Sequence, residues 1–179
     1  METLENYELI KKNGQTTTEK ALQWFDELEP VNVDFMLGLW QGSGLHTNHP
    51  MDGLLEVSSW YGKEFVDSET VHPLLFSDKN QNIFKVAPNA NSMKLVFKMS
   101  WLKNNSFKPL LMLTNELMKT EVSQARLRMM EYRGKVTATM VYDYLPINDS
   151  FRKIDENTVL GIMDYKIYPQ PFFFILERK

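Results

Sequence analysis

Leu37-Gly38-Leu39-Trp40-Gln41-Gly42-Ser43-Gly44 is the stretch whose reading decides the fold. A tryptophan stands between closely spaced glycines, directly after an apolar run, and a polar, proline-bearing stretch follows. Glycine bends a chain without a Cβ penalty, and inside a strand it marks a bulge or a barrel corner. The stretch reads as a strand that bends sharply while a large indole plugs one end of something hollow. The expectation is a closed antiparallel β-barrel with Trp40 as its stopper and Gly38, Trp40 and Gly42 as the structural motif.

Upstream, residues 2–12 place Leu4, Tyr7 and Ile10 at helical spacing, broken at Asn13-Gly14. Thr16 and Glu19 fit a capping box, and Ala21, Leu22, Phe25 and Leu28 recur helically until Pro30. Residues 1–36 therefore form an N-terminal helical segment placed to close one barrel end, and residues 37–179 the barrel, all within a single domain. Downstream the signals are mixed as far as Phe76. Asp52-Gly53-Leu54-Leu55-Glu56-Val57 reads as a short helix or a strand entry, and Trp60-Tyr61-Gly62 as turn chemistry among aromatics. Residues 71–76 are extended, because Pro73 holds His72 out of the α region. Strands are expected at 83–86 and 93–101. Leu110, Leu113, Leu117 and Met118 change the period to that of a helical insertion near 107–119. The last third is strongly β: residues 125–133 alternate, 136–142 are rich in β-branched side chains, and 158–163 and 172–176 follow. Short turns between consecutive strands favour a meander that closes on itself.

The 179 residues suffice for one domain with one sizeable core. Hydrophobic residues at 43% and charged residues at 24% fit a globular chain. A net charge of -3 argues against nucleic acid or an anionic membrane as partner. The sequence has no cysteine, which excludes disulfides, thiolate metal sites and cysteine nucleophiles and suits a reducing compartment. The acidic start has no apolar core of a secretory signal, and no window reaches the ~20 apolar residues of a membrane span. The expected setting is cytoplasmic, without membrane insertion, as a monomer or homodimer.

Gly38-Leu39-Trp40-Gln41-Gly42 resembles the signature of the GXWXG protein family. His49-Pro50-Met51-Asp52-Gly53 and Val71-His72-Pro73-Leu74 resemble further stretches of it. The C-terminal half is similar to the uncharacterised domain that accompanies the signature in the same chains. That similarity runs through Ala125-Arg126-Leu127-Arg128, Glu131-Tyr132-Arg133-Gly134, Met140-Val141-Tyr142-Asp143, Pro146-Ile147, Phe151-Arg152-Lys153, Thr158-Val159-Leu160-Gly161-Ile162-Met163-Asp164 and Pro171-Phe172-Phe173-Phe174. Nearly the whole chain from Ala21 onward is covered. The signature also resembles the first strand of lipocalin-like proteins and haem-binding nitrobindins, over a handful of residues. These resemblances imply a lipocalin-like barrel and carry no activity with them. Ser150 departs from the pattern, where a histidine is expected after Asp149.

His46, His49 and His72 are all the histidines, and their separations match no helical metal pair or zinc set. A nitrobindin-like haem needs an axial histidine late in the chain, and none follows His72. No metal and no cofactor are expected. Arg126 and Arg128 share one strand face, and an arginine inside a barrel can hold a carboxylate bidentately; the alternative is that such charges pair with Asp143 or Asp164 or face water. Asp52 beside His49, with His72 further on, reads as an acid–base pair or, equally simply, as capping. Nucleophile-elbow, P-loop and dinucleotide fingerprints are missing. Methionines and aromatics crowd the second half: Met93, Met99, Met112, Met118, Met129, Met130, Met140 and Met163 with Phe97, Trp101, Tyr142, Phe172 and Phe174. They either fill the barrel or line a cavity. The first expectation is thus a binding module for a small apolar or amphipathic ligand, fatty-acid-like in kind. Arg126, Arg128, Arg152 and Tyr142 would anchor it, and Met129, Met140 and Met163 would line its site. The alternative is a small-molecule enzyme using Asp52, His72, Asp143 or Asp164 for proton transfer.

Overall fold

In the computed structural model, residues 14–87, 115 and 117–179 are described. The expected helix at 2–12, the strand at 93–101, most of the helical insertion and Met93, Met99 and Met112 lie outside them; Asn115 and Leu117, near the end of that insertion, are helical.

Helix α1 (Thr18–Glu27) is capped by Thr17, whose hydroxyl accepts from Lys20 N at 3.2 Å. The cap lies one residue beyond the expected Thr16. The helix buries Ala21, Trp24 and Phe25, and Leu28 just past its end. Pro30 then falls in a two-residue strand β1 (Glu29–Pro30). A one-turn helix α2 (Val33–Met36), capped by Asn32 at 2.8 Å to Phe35 N, leads into β2 (Gly38–Leu45). Asp52 and Gly53 precede another one-turn helix, α3 (Leu54–Val57), with Gly53 in the left-handed region at φ 84°. Strands β3 (Trp60–Phe65), β4 (Val71–Ser77) and β5 (Ile83–Lys85) complete the first half. The turn expected at Trp60-Tyr61-Gly62 is instead the start of β3. The second half is β6 (Ala125–Tyr132), β7 (Lys135–Tyr142), β8 (Ile147–Asp155), β9 (Thr158–Tyr165) and β10 (Tyr168–Arg178). Four of these, β6, β7, β9 and β10, were expected within a few residues; β8 was not.

Around the barrel the order is β2, β3, β4, β6, β7, β8, β9, β10 and back to β2, every pairing antiparallel. This is the expected single antiparallel lipocalin-like β-barrel, a mainly β fold. β10 closes it on β2, from Phe173 opposite Leu45 to Arg178 opposite Trp40. Two seams are short. β4 and β6 meet only at Val71 and Ala125, with Ser123 Oγ accepting from Val71 N at 3.0 Å; β5 takes up the rest of β4. β7 and β8 pair over three residues, and Val31 wedges their diverging ends: its carbonyl accepts from Ala138 N at 2.7 Å and its N–H donates to Thr137 Oγ1 at 3.1 Å.

Alternation splits the apolar side chains into two clusters. One fills the barrel, with Trp40, Trp60, Phe65, Phe151 and Phe174 among its members. The other lies outside, where α1 packs Ala21, Trp24 and Phe25 onto Leu45, Leu160, Ile162 and Phe173. Trp40 is fully buried and its indole donates to Met36 O at 2.7 Å, so α2 and the indole close one barrel end together. The Arg178 guanidinium lies 4.2 Å over that ring and donates to Leu37 O and Phe35 O, tying the end of the chain to the plug. No helix among the described residues is long and apolar enough to cross a membrane.

Candidate functional site

Among the described residues, one charged pair interrupts the apolar packing inside the barrel. Lys63 Nζ lies 2.9 Å from Asp149 Oδ2, and the two side chains are 3% and 2% exposed. The sequence builds this locally on both sides. In β3 the register with β4 jumps twice, between Trp60 and Gly62 and between Gly62 and Glu64. Pro73 of β4 lies across from that irregularity and offers no N–H to the ladder. Gly62 sits at φ 150°, and a Cβ there would overlap the Trp40 carbonyl oxygen, so only glycine lets β2 and β3 approach. The resulting bulges turn Trp60 and Phe65 inward together, with Lys63 between them. Lys63 Nζ also donates to Pro73 O at 3.2 Å, using the carbonyl that the broken ladder leaves.

On the opposite wall, Asp149 follows simple alternation. Its neighbours two residues away, Ile147 and Phe151, both belong to the interior cluster. Its cross-strand partners are Met140 on β7 and Met163 on β9. Burial holds the Asp149 carboxyl above the usual carboxylate range, against the opposing pull of the Lys63 ammonium. Burial and then the Asp149 charge push the Tyr142 phenol well up, so it stays neutral. The rings of Phe174, Trp60 and Tyr142 surround Lys63 Nζ at 5.0, 5.5 and 5.9 Å. Phe174 lies over Gly161 and Trp60 over Gly42, where any Cβ would strike the ring. Among the described residues, Asp149 Oδ1 and Trp60 Nε1 have no hydrogen-bond partner. The interior thus presents an ammonium, a carboxylate with one oxygen to spare and an indole N–H, walled by aromatics and two methionines.

The residues singled out from sequence fall into separate places. Met140, Tyr142 and Met163 are in the interior cluster around the pair. Arg126 and Arg128 alternate away from interior Ala125 and Leu127; Arg126 binds Asp143 at 2.6 Å and Arg128 binds Glu69 at 2.9 Å. Met129 is 46% exposed towards the β6–β7 hairpin tip. Arg152 is fully buried, but beneath α1: its guanidinium lies 4.8 Å over Phe25 and Nη2 donates to Tyr132 O. Asp52 caps its own loop, accepting from Thr47 N and His49 N at 2.9 Å. That loop seats Met51 in the interior cluster and His49 against Phe172 and Tyr168. His72 is buried on β4 opposite Glu64, and Asp164 is exposed on β9. Asp52, His72, Asp143 and Asp164 each have their own surroundings, while the two groups that do converge, Lys63 and Asp149, were not among the expected site residues. Ser150, the departure from the family pattern, faces away from Asp149 and bonds Thr139 Oγ1 at 2.9 Å. A strand period through Ile147-Asn148-Asp149-Ser150-Phe151 was the available signal for Asp149. Lys63 carried none, because its inward turn depends on the bulges.

Fold and site together define a closed barrel with a polar pair sealed in an aromatic interior. Residues 23–80 match the GXWXG protein family and residues 123–178 match the domain of unknown function DUF4334. The first match holds the plug and Lys63, and the second holds Asp149. A crystal structure of a protein from Thermomonospora curvata is similar at 29% identity, covering 100% of this chain and 99% of its own, with a TM-score of 0.74. No curated protein matches the chain.

Proposed function

We propose that this barrel binds or carries a small apolar or amphipathic molecule in its interior, fatty-acid-like or of similar kind, with its polar end at Lys63 and Asp149. The observation that carries the reading is the pair itself. Burying two charges costs several kcal/mol per ion in desolvation, and well-packed apolar residues of the same volume would usually serve stability as well or better. A pair kept at 3% and 2% exposure, with Asp149 Oδ1 unpartnered among the described residues, suits a contact reserved for a ligand. Binding sites of this kind are apolar with a few placed polar groups. Met140 and Met163 line the site in this reading, Tyr142 joins them as lining rather than as the anchor expected from sequence, and the anchor passes from Tyr142 and the arginines to Lys63 and Asp149. The cysteine-free sequence suits a cytoplasmic carrier.

Native mass spectrometry of the purified protein, followed by organic extraction of what co-purifies, tests this. A recurrent lipid-like mass released on unfolding is expected. Protein that arrives free of ligand and takes up none from a panel of apolar and amphipathic molecules would contradict it.

A further inference from the structure

We propose that the barrel takes a carbonyl compound, an aldehyde or ketone with an apolar body, and holds it covalently as an imine on Lys63. This rests on the ligand-binding reading of the same interior and narrows it to a chemical class. Lys63 is the one buried lysine among the described residues. Lys85 and Lys153, by contrast, lie at the surface in ion pairs with Glu64 and Glu156. A buried lysine amine in contact with a proton acceptor is the setting in which proteins make Schiff-base lysines.

The surroundings supply what imine formation needs. Asp149 Oδ2 is in hydrogen-bond contact with Nζ and can take its proton; burial raises the basicity of that carboxylate. The Lys63 nitrogen then adds to the carbonyl carbon, forming the C–N bond, and Asp149 returns the proton to the carbonyl oxygen. A second proton passes from nitrogen through the carboxylate to the hydroxyl, the C–O bond breaks, and one water leaves. The product is a protonated imine paired with the Asp149 carboxylate. Charge and protons balance, and no oxidant or reductant is required. Asp149 Oδ1, without a partner among the described residues, can hold the departing water. Phe174, Trp60 and Tyr142 wall the nitrogen at 5.0 to 5.9 Å and keep bulk water from reversing the step. Lys63 is bonded to β4 through Pro73, and β4 meets β6 at a single residue pair, the least laced flank of the barrel.

The test uses the full chain with hexanal and sodium cyanoborohydride, which reduces an imine to a stable amine, and hexan-1-ol as the partner that cannot react. At stoichiometric hexanal the expected result is one alkyl adduct that peptide mass spectrometry places on Lys63. Lys63→Arg should abolish it, and Asp149→Asn should slow it about 10²-fold, the scale of a lost proton-transfer group. Mapping in the wild-type protein stands even if a variant folds poorly. Adducts spread over surface lysines, equal in wild type and Lys63→Arg, would overturn the inference. If hexanal and hexan-1-ol still bind reversibly in that case, by quenching of tryptophan fluorescence, carriage survives and the imine does not. If neither binds, both readings fall.

Discussion

Single side chains decide whether this barrel is closed and what it contains. Trp40 is the stopper that the glycine–tryptophan stretch announced: fully buried, bonded to Met36 O and covered by Arg178. Its indole N–H is spent on the plug helix, although Lys63 stands opposite it across the β2–β3 ladder. Trp40→Ala should therefore lower the unfolding free energy by about 3–5 kcal/mol, the usual cost of truncating a buried large aromatic, while leaving ligand affinity less affected. Denaturant melts read this directly, and an unchanged midpoint would show that the indole does not hold the end shut. His72 makes a separate prediction. Its pKa is lowered, first by burial and then by the Lys85 charge, with Glu64 and Glu121 pulling the other way. The unfolded chain therefore takes up the proton before the folded one does. Stability should fall as pH drops below the ordinary histidine value of 6.5 and level off below the folded pKa. His72→Gln should flatten that fall between pH 7 and 5; a slope identical to wild type would remove His72 as its source.

At the scale of elements, the site exists because β3 is irregular. Gly62 permits the close crossing over Trp40, Pro73 withholds a ladder bond, and the two register jumps aim Lys63 into the barrel. Gly62→Ala should destabilise the protein by about 1–3 kcal/mol from backbone strain alone, with the Cβ overlap on top. A melt equal to wild type would mean that β2 and β3 can part without cost. The same irregularity explains what the sequence made legible. Strands with clean alternation or β-branched runs, such as β6, β7 and β9, could be read directly, and so could α1 from its apolar stripe. Trp60-Tyr61-Gly62 was misread as a turn, because a glycine that marks a bulge and one that marks a turn look alike without the partner strand. β8 escaped notice because Asn148, Asp149, Ser150 and Arg152 make it polar. Two of those four are buried against the outside of the barrel and one is the interior acid. Arg126 and Arg128 were correctly placed on one face together, but which face meets water depends on the closure of the whole sheet.

At the scale of the molecule, the described residues form a barrel whose two matched segments meet across its interior, Lys63 from one and Asp149 from the other. Barrel, plug and meander were legible because they follow from periodicity and turn chemistry. The pair was not, because it joins residues 86 positions apart through the closed sheet. If the pair serves a ligand, stability and binding should separate when it is replaced. Lys63→Met or Asp149→Leu alone strands a buried charge and should cost about 3–5 kcal/mol, whereas the two together exchange a buried ion pair for apolar packing and should recover stability close to wild type. The decisive measurement is the ligand content, by native mass spectrometry, of that folded double variant beside the wild type. The account predicts a bound small molecule in the wild type and its loss from a double variant that melts normally. The same mass retained in both would contradict it.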